Sequence, residues 1–262
     1  MATPAPLPDG PRQDTWDRYW GDKAAAAEVY PAVSDLLAEI TRVLPDSAGR
    51  RVLEVGAGTG REGHALAARG AMVIALDFSA EALRLSRTVS PRALLVRGDA
   101  LAAPFRDGTF DLVYHQGLLE HFRDPAPLLR ENRRLVREGG LLLVDVPQTF
   151  HLYTLVKKLL IATNRWFAGW ETQFSPGRLQ RLVESTGFEC VRRYGYGMHP
   201  GFTYRMLREA LRRGGVRLPL EPALGPLQGV YKGWHRMLRA LERTAVGPYL
   251  ALTVGVIARK VG

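Results

Sequence analysis

The run Val52-Leu53-Glu54-Val55-Gly56-Ala57-Gly58-Thr59-Gly60 constrains this chain more than any other stretch. An apolar, strand-like segment passes directly into three glycines at alternate positions, and residues 62–69 behind them carry a helical pattern. Glycines in such a bend let the backbone turn sharply and approach a ligand closely, because a Cβ there would collide with it. A strand that feeds a helix through this kind of loop belongs to an open α/β sheet, whose ligands gather at the carboxyl ends of the strands. A dinucleotide fingerprint needs glycine at position 61, where Arg61 stands, and no Walker lysine follows. A nucleoside ligand without phosphates therefore fits better than NAD or a nucleoside triphosphate.

The alternation continues on both sides of the loop. Strands are expected at 51–55, 72–76, 93–96, 111–114 and 140–146, with helices at 62–69, 80–86 and 125–135. Ser79 is placed to cap the helix that starts at Ala80, and Gly70 and Gly139 are expected to end theirs. Upstream, residues 24–43 carry apolar side chains at helical spacing. Trp16, Tyr19 and Trp20 precede them, either as packing for an N-terminal helix or as a lid over the ligand. Beyond Pro147 a helix is expected at 176–186, a strand at 188–194 and a last strand at 249–259. Residues 149–172 and 198–248 are then insertions, the second far longer than a hairpin connection requires.

Three carboxylates stand at the mouths of successive strands. Glu54 can receive a positively charged amino end, and Asp77 sits where a carboxylate grips ribose hydroxyls. Asp99 can accept from an adenine amino group, with Phe78 and Leu101 on either side of the ring. Singly, each reads as a capping or surface residue; their spacing is what points to a nucleoside site.

Five collinear blocks extend this pattern: VLEVGAGTG (52–60), VIALDFS (73–79), VRGDALAAPF (96–105), FDLVYHQGLLEHF (110–122) and LLREN-RRLVREGGLLLVDVP (128–147). Over residues 45–147 the chain resembles the class I S-adenosylmethionine-dependent methyltransferases, in particular the methyltransferase type 11 grouping that includes ubiquinone and menaquinone biosynthesis enzymes; residues 174–189 are more weakly similar. The resemblance implies an α/β fold: a Rossmann-like, seven-stranded, mostly parallel sheet in order 3-2-1-4-5-7-6, with helices on both faces and the seventh strand antiparallel. To these the sequence adds helical insertions after strand 5 and between strands 6 and 7. It also implies S-adenosyl-L-methionine as cofactor, held by Glu54, Gly56, Ala57, Gly58, Thr59, Gly60, Asp77, Phe78, Ser79, Asp99, Ala100 and Leu101, and by Gln116, Gly117 and Leu118 at its methionine end. Tyr19 joins this set as part of the N-terminal cover. The residue matching His121 is expected near the transferred methyl.

Methyl transfer is a displacement at an already activated carbon, so the protein chiefly aligns the acceptor and excludes water. A base is needed only where the acceptor loses a proton; His121 or His115 can serve a hydroxyl acceptor, and a structural hydrogen bond is the alternative role for His121. No metal site is read, because adjacent Glu120 and His121 seldom project together and further ligands are not identifiable.

Composition bounds the rest. Residues 1–14, rich in proline and small side chains, read as a flexible leader without a secretory pattern, and 15–262 as one domain with a cofactor-binding half (15–147) and an acceptor-binding half (148–262). The lone Cys190 supports neither a disulfide nor a zinc site, and no apolar run reaches membrane-spanning length, so a cytoplasmic protein is expected. The net charge of +10 is uneven: residues 1–150 hold 18 Lys and Arg against 20 Asp and Glu, and residues 151–262 hold 18 against 6. Basic residues recur at Arg205, Arg208, Arg212 and Arg213 and at Lys232, Arg236, Arg239 and Arg243. Either they form solvated helix faces or they meet an anionic acceptor.

The leading expectation is a methyltransferase acting on a small-molecule or lipid-linked acceptor, with oxygen as the preferred atom. Residues 149–172, with leucines, lysines and tryptophans, offer a peripheral membrane contact or an internal cap. Alternatives are an RNA-modifying methyltransferase using the basic half, disfavoured for want of an appended nucleic-acid module, and a non-catalytic cofactor-binding scaffold.

Overall fold

A computed structural model describes residues 11–21, 35–166, 168–198 and 225–262, with positions 204, 207, 208, 211, 214–219 and 222 between them. Its seven strands are β1 (Arg51–Val55), β2 (Met72–Asp77), β3 (Leu94–Arg97), β4 (Phe110–Gln116), β5 (Val136–Pro147), β6 (Phe188–Tyr196) and β7 (Thr253–Lys260). They form one sheet in the order β3-β2-β1-β4-β5-β7-β6. β1 to β5 pair in parallel, and β7 runs antiparallel to both β5 and β6. The expected order and the reversed last strand are both present.

Among the described residues the α-helices are α1 (Gln13–Gly21), α2 (Asp35–Val43), α3 (Arg61–Ala68), α4 (Ala80–Val89), α5 (Ala126–Leu135), α6 (Leu152–Ala162), α7 (Pro176–Glu184), α8 (Gln228–Glu242) and the short α9 (Gly247–Leu250). The sheet is apolar on both faces because both are covered. Leu53, Val55, Val113, Leu142 and Val144 pack with Leu128, Leu135 and Leu179 from α5 and α7. Val52, Val73, Leu112, Leu143 and Ile257 pack with Leu36, Ile40 and Leu66 from α2 and α3. Successive residues of each strand thus go to opposite layers, which fixes the register.

The local punctuation follows the sequence in most places. The Ser79 hydroxyl accepts the Ala82 N–H at 3.2 Å as the cap of α4. Gly70, at φ 87°, follows α3 in a Schellman-type closure, with Gly70 N–H donating to Ala67 and Ala71 N–H to Leu66. Gly139, in contrast, ends no helix. The chain leaves α5 at Leu135 and enters β5 at once, because Val136 is extended and pairs with Phe110. The last strand begins at Thr253 rather than 249, since Pro248 in the first turn of α9 holds residues 247–250 helical. The N-terminal part of the helix expected over 24–43, and Arg205, Arg212 and Arg213, lie outside the described residues.

Candidate active site

The carboxyl ends of β1, β2, β4 and β5 open into one cavity of about 860 Å³. Its floor is the glycine bend. Gly56, Gly58 and Gly60 have φ of 62°, 52° and 64°, a region that side-chain-bearing residues rarely occupy. A Cβ on Gly58 would lie 2.8 Å from the Trp20 ring, and one on Gly56 would press on Leu118 at 3.1 Å. The bend is held open from below by Asp77: its Oδ2 accepts the Gly58 N–H at 2.9 Å and its Oδ1 accepts the Ser79 N–H at 2.8 Å. Burial raises the Asp77 carboxyl above its ordinary range, and these backbone donors oppose the rise.

Glu54 stands next to the bend, 6% exposed, with Oε2 lacking a hydrogen-bond partner. Burial, reinforced by neighbouring Glu62, pushes its carboxyl well above the usual range. A buried carboxyl in the wall of a cavity gains its charge when a cation is placed beside it. At the far end of the sheet, Asp99 Oδ1 accepts the Leu101 N–H at 2.8 Å, which orients the exposed carboxylate beside Phe78, Ala100 and Leu101 on the wall. Gln116, Gly117 and Leu118 form the opposite wall. Gly117, at φ 65°, donates its N–H to the Asp145 carbonyl at 3.0 Å. The residues present therefore fit an adenosyl ligand with an ammonium end: a backbone cradle that side chains would fill, a carboxylate that wants a positive charge, and carboxylates at the mouths of β1, β2 and β3.

Three of the expected site residues do not reach the cavity wall. Gly60 turns the chain into α3 and packs on Ser86. Ser79 is fully buried; its hydroxyl caps α4 and donates to Asp17 at 2.5 Å. His115 is fully buried within β4, and neither ring nitrogen has a partner. Burial lowers its imidazole to about 3, so it is a neutral core residue and not a base. Alternation along β4 explains the error: Gln116 faces the cavity, and its neighbour must face away. His121 does line the cavity. Burial lowers it to about 4, and the Trp16 ring meets it edge-on at 4.9 Å between centroids.

The cavity also gathers residues outside the expected cofactor-binding set. Trp16 and Trp20 bring α1 over the bend together with Tyr19, so the N-terminal aromatics both pack on α4 and cover the site. Asp145, Gln116 and Tyr196 form a chain across the ends of β5, β4 and β6: Gln116 Nε2 donates to the Tyr196 hydroxyl at 2.6 Å, and that hydroxyl donates to Asp145. Burial lifts the Asp145 carboxyl to about 8. The readable signal for Asp145 was an acid in the otherwise apolar run LLLVDVP; Tyr196 carried none. From the first insertion come Tyr153, Trp166 and Glu171. Lys157 is fully buried behind them and donates to Glu171 at 2.5 Å, while the Trp166 indole N–H donates to the other Glu171 oxygen at 2.7 Å. Glu120 faces the same end of the cavity, its carboxyl raised by burial and by Glu171.

The strand order and the placing of the cavity are those of the Rossmann-like, seven-stranded architecture that the sequence motifs imply. Residues 53–144 match the family model described as a methyltransferase domain, in keeping with the five motifs. A demethylmenaquinone methyltransferase from Renibacterium salmoninarum is 40% identical over 96 residues, which are 37% of this chain and 40% of that protein. A ubiquinone biosynthesis O-methyltransferase from Neisseria meningitidis is 25% identical over 70% of this chain and 82% of its own length. Among solved structures, Haemonchus contortus phosphoethanolamine N-methyltransferase 2, in complex with S-adenosyl-L-methionine, superposes with a TM-score of 0.61 at 19% identity, over 95% of this chain and 57% of that one. That likeness concerns the fold. The matched stretch spans about two fifths of the length of the first of these relatives.

Proposed function

We propose that this chain transfers a methyl group from S-adenosyl-L-methionine to a small-molecule or lipid-linked acceptor. The observation that supports this most is the buried Glu54 carboxyl in the cavity wall beside a glycine bend in which side chains would collide with Trp20 and Leu118. A phosphate-bearing dinucleotide has no use for a buried carboxylate there, whereas an ammonium group neutralises it. In this reading Glu54 holds the ligand's amino end and Asp77 uses its remaining lone pairs on the ribose. Asp99, Phe78 and Leu101 take the adenine, and the backbone from Gln116 to Leu118 meets the methionine portion. When bound, the cofactor supplies a methyl carbon activated by a positive sulfur. The residues of the chain orient the acceptor and exclude water.

An oxygen acceptor is the preferred assignment, supported by the name of the ubiquinone biosynthesis O-methyltransferase; the names of both curated relatives support a quinone-precursor acceptor. His121 faces the cavity and is uncharged near neutral pH, so it can take or share a proton at the acceptor. Its low proton affinity makes it a weak base, and a positioning hydrogen bond serves the same reaction. Full turnover by His121→Ala at saturating acceptor would remove it from the proton-transfer role. A lipid-linked acceptor would be met at a membrane surface through residues 149–172. Of the second basic stripe, Arg239 is engaged with Asp35 and Glu242, while Lys232, Arg236 and Arg243 are exposed, so the RNA-modifying reading stays the second one.

Calorimetry with S-adenosylmethionine and its demethylated product tests the cofactor directly, with NAD as the competing ligand. Heat with the adenosyl compounds and none with NAD is expected; the reverse pattern from folded protein overturns the proposal. Transfer of labelled methyl to fractionated extract, with mass identification of the product, then names the acceptor.

A further inference from the structure

Helix α6 is inverted relative to a solvated helix. Thr154 and Lys157 point inward and are fully buried, while Leu152, Leu155 and Leu159 are 54%, 59% and 65% exposed. The inward side is accounted for: the Thr154 hydroxyl donates to the Gln148 carbonyl at 2.5 Å, and Lys157 meets Glu171 in the wall of the cavity. The outward side is not. Positions 152, 155 and 159 fall on one helix face, and Phe150, 66% exposed, extends the ridge at its start. The Gln148 side chain donates to the Tyr249 carbonyl at 2.6 Å, which brings α9 alongside with Tyr249 and Leu250 also exposed. Soluble monomers seldom leave a contiguous apolar ridge of this kind to water.

Charge indicates what covers it. Residues 149–170 contain Lys157, Lys158 and Arg165 and no acidic side chain. Lys158 and Arg165 are exposed beside the ridge, and the exposed Arg193 donates to the Tyr249 hydroxyl at 3.4 Å. A second copy docked across a two-fold axis would set this basic rim against its own image, so self-association is opposed by the same residues that flank the ridge. An anionic surface satisfies both features, apolar side chains below and cations at the rim. Among the described residues no helix is long and apolar enough to cross a membrane, so the helix lies on such a surface.

We propose that the leucine ridge of α6, with Phe150 and the exposed tip of α9, seats this protein on an anionic lipid bilayer. Tyr153 of the same helix lines the cavity, as does Leu252 just beyond α9, so the site opens next to the seat. The purpose of the seat rests on the reading of a lipid-linked acceptor. Vesicle binding, however, is read without cofactor or acceptor, so the two can fail separately.

The test is co-sedimentation of the full chain with vesicles of phosphatidylcholine containing about one third phosphatidylglycerol, against pure phosphatidylcholine, at low salt. Binding to the anionic vesicles is expected, weakening at least several-fold as salt is raised. The double variant L155E/L159E should bind at least tenfold less while retaining its melting temperature and its heat with S-adenosylhomocysteine. Two results overturn the proposal: wild-type protein left in the supernatant with anionic vesicles, or the double variant binding as well as wild type. A third does so as well: a dimer in sedimentation velocity that the double variant abolishes, without vesicle binding, would assign the ridge to a second copy.

Discussion

Helices α4 and α6 are of nearly equal length, yet they obey opposite rules. α4 buries Ala82, Leu85 and Ser86 and turns its charged residues outward, as its sequence pattern predicts. α6 buries Thr154 and Lys157 and turns leucines outward. The difference lies in what each helix packs against. α4 lies on the sheet flank and contributes to an apolar layer, so hydropathy decides its orientation. α6 forms part of the cavity wall, where the buried Glu171 carboxylate takes Lys157 and the Gln148 carbonyl takes the Thr154 hydroxyl, and electrostatics decides instead.

Four measurements sharpen or break this contrast. The largest effect is expected at Gly58→Val: the φ of 52° and the Trp20 ring 2.8 Å from any Cβ leave no room. Cofactor affinity should fall by about 100-fold or more, roughly 3 kcal/mol, by calorimetry. Next, Lys157→Met strands Glu171 in the interior and should cost about 3 kcal/mol in urea unfolding. The double variant Lys157→Met with Glu171→Leu should recover most of that loss. If the single variant alone is neutral, electrostatics does not orient α6.

The third effect is pH dependence without cofactor. Asp145 and Glu120 bind protons more tightly in the folded protein than in the unfolded chain, where carboxyls titrate near about 4. Their contribution to stability is complete below that unfolded value and is lost as pH rises through the folded one. Stability of the apo protein should therefore decline between about pH 5 and pH 8, by on the order of 1–3 kcal/mol. Asp145→Asn should flatten the decline; an unchanged slope would show that Asp145 titrates normally. The smallest effect is at Ser79→Ala, where loss of the α4 cap should cost about 1 kcal/mol.

Legibility follows the same division. The strand order, the glycine bend and the α4 cap are legible because backbone geometry dictates residue type there: positive φ wants glycine, and a helix start wants Ser79. His115 was misassigned because motif proximity ignores the two-residue period of a strand, which sends alternate side chains to opposite faces. Ser79 and Gly60 lie in the right motif but serve the scaffold. Tyr196 and Glu171 escaped notice because each reaches the cavity from far along the chain, Tyr196 bonding to Asp145 from 51 residues away.

By itself the sequence determined the order of elements, the glycine bend and the end of the sheet at which the cavity opens, since all of these depend on interactions between near neighbours and on backbone conformations that only certain residues adopt. Tertiary structure alone decided which side of α6 is buried, which histidine reaches the cavity and how Asp145, Gln116 and Tyr196 hydrogen-bond. Those outcomes turn on the local dielectric and on partners distant in the chain, and a buried charge finds its place only when the folded surroundings supply its opposite.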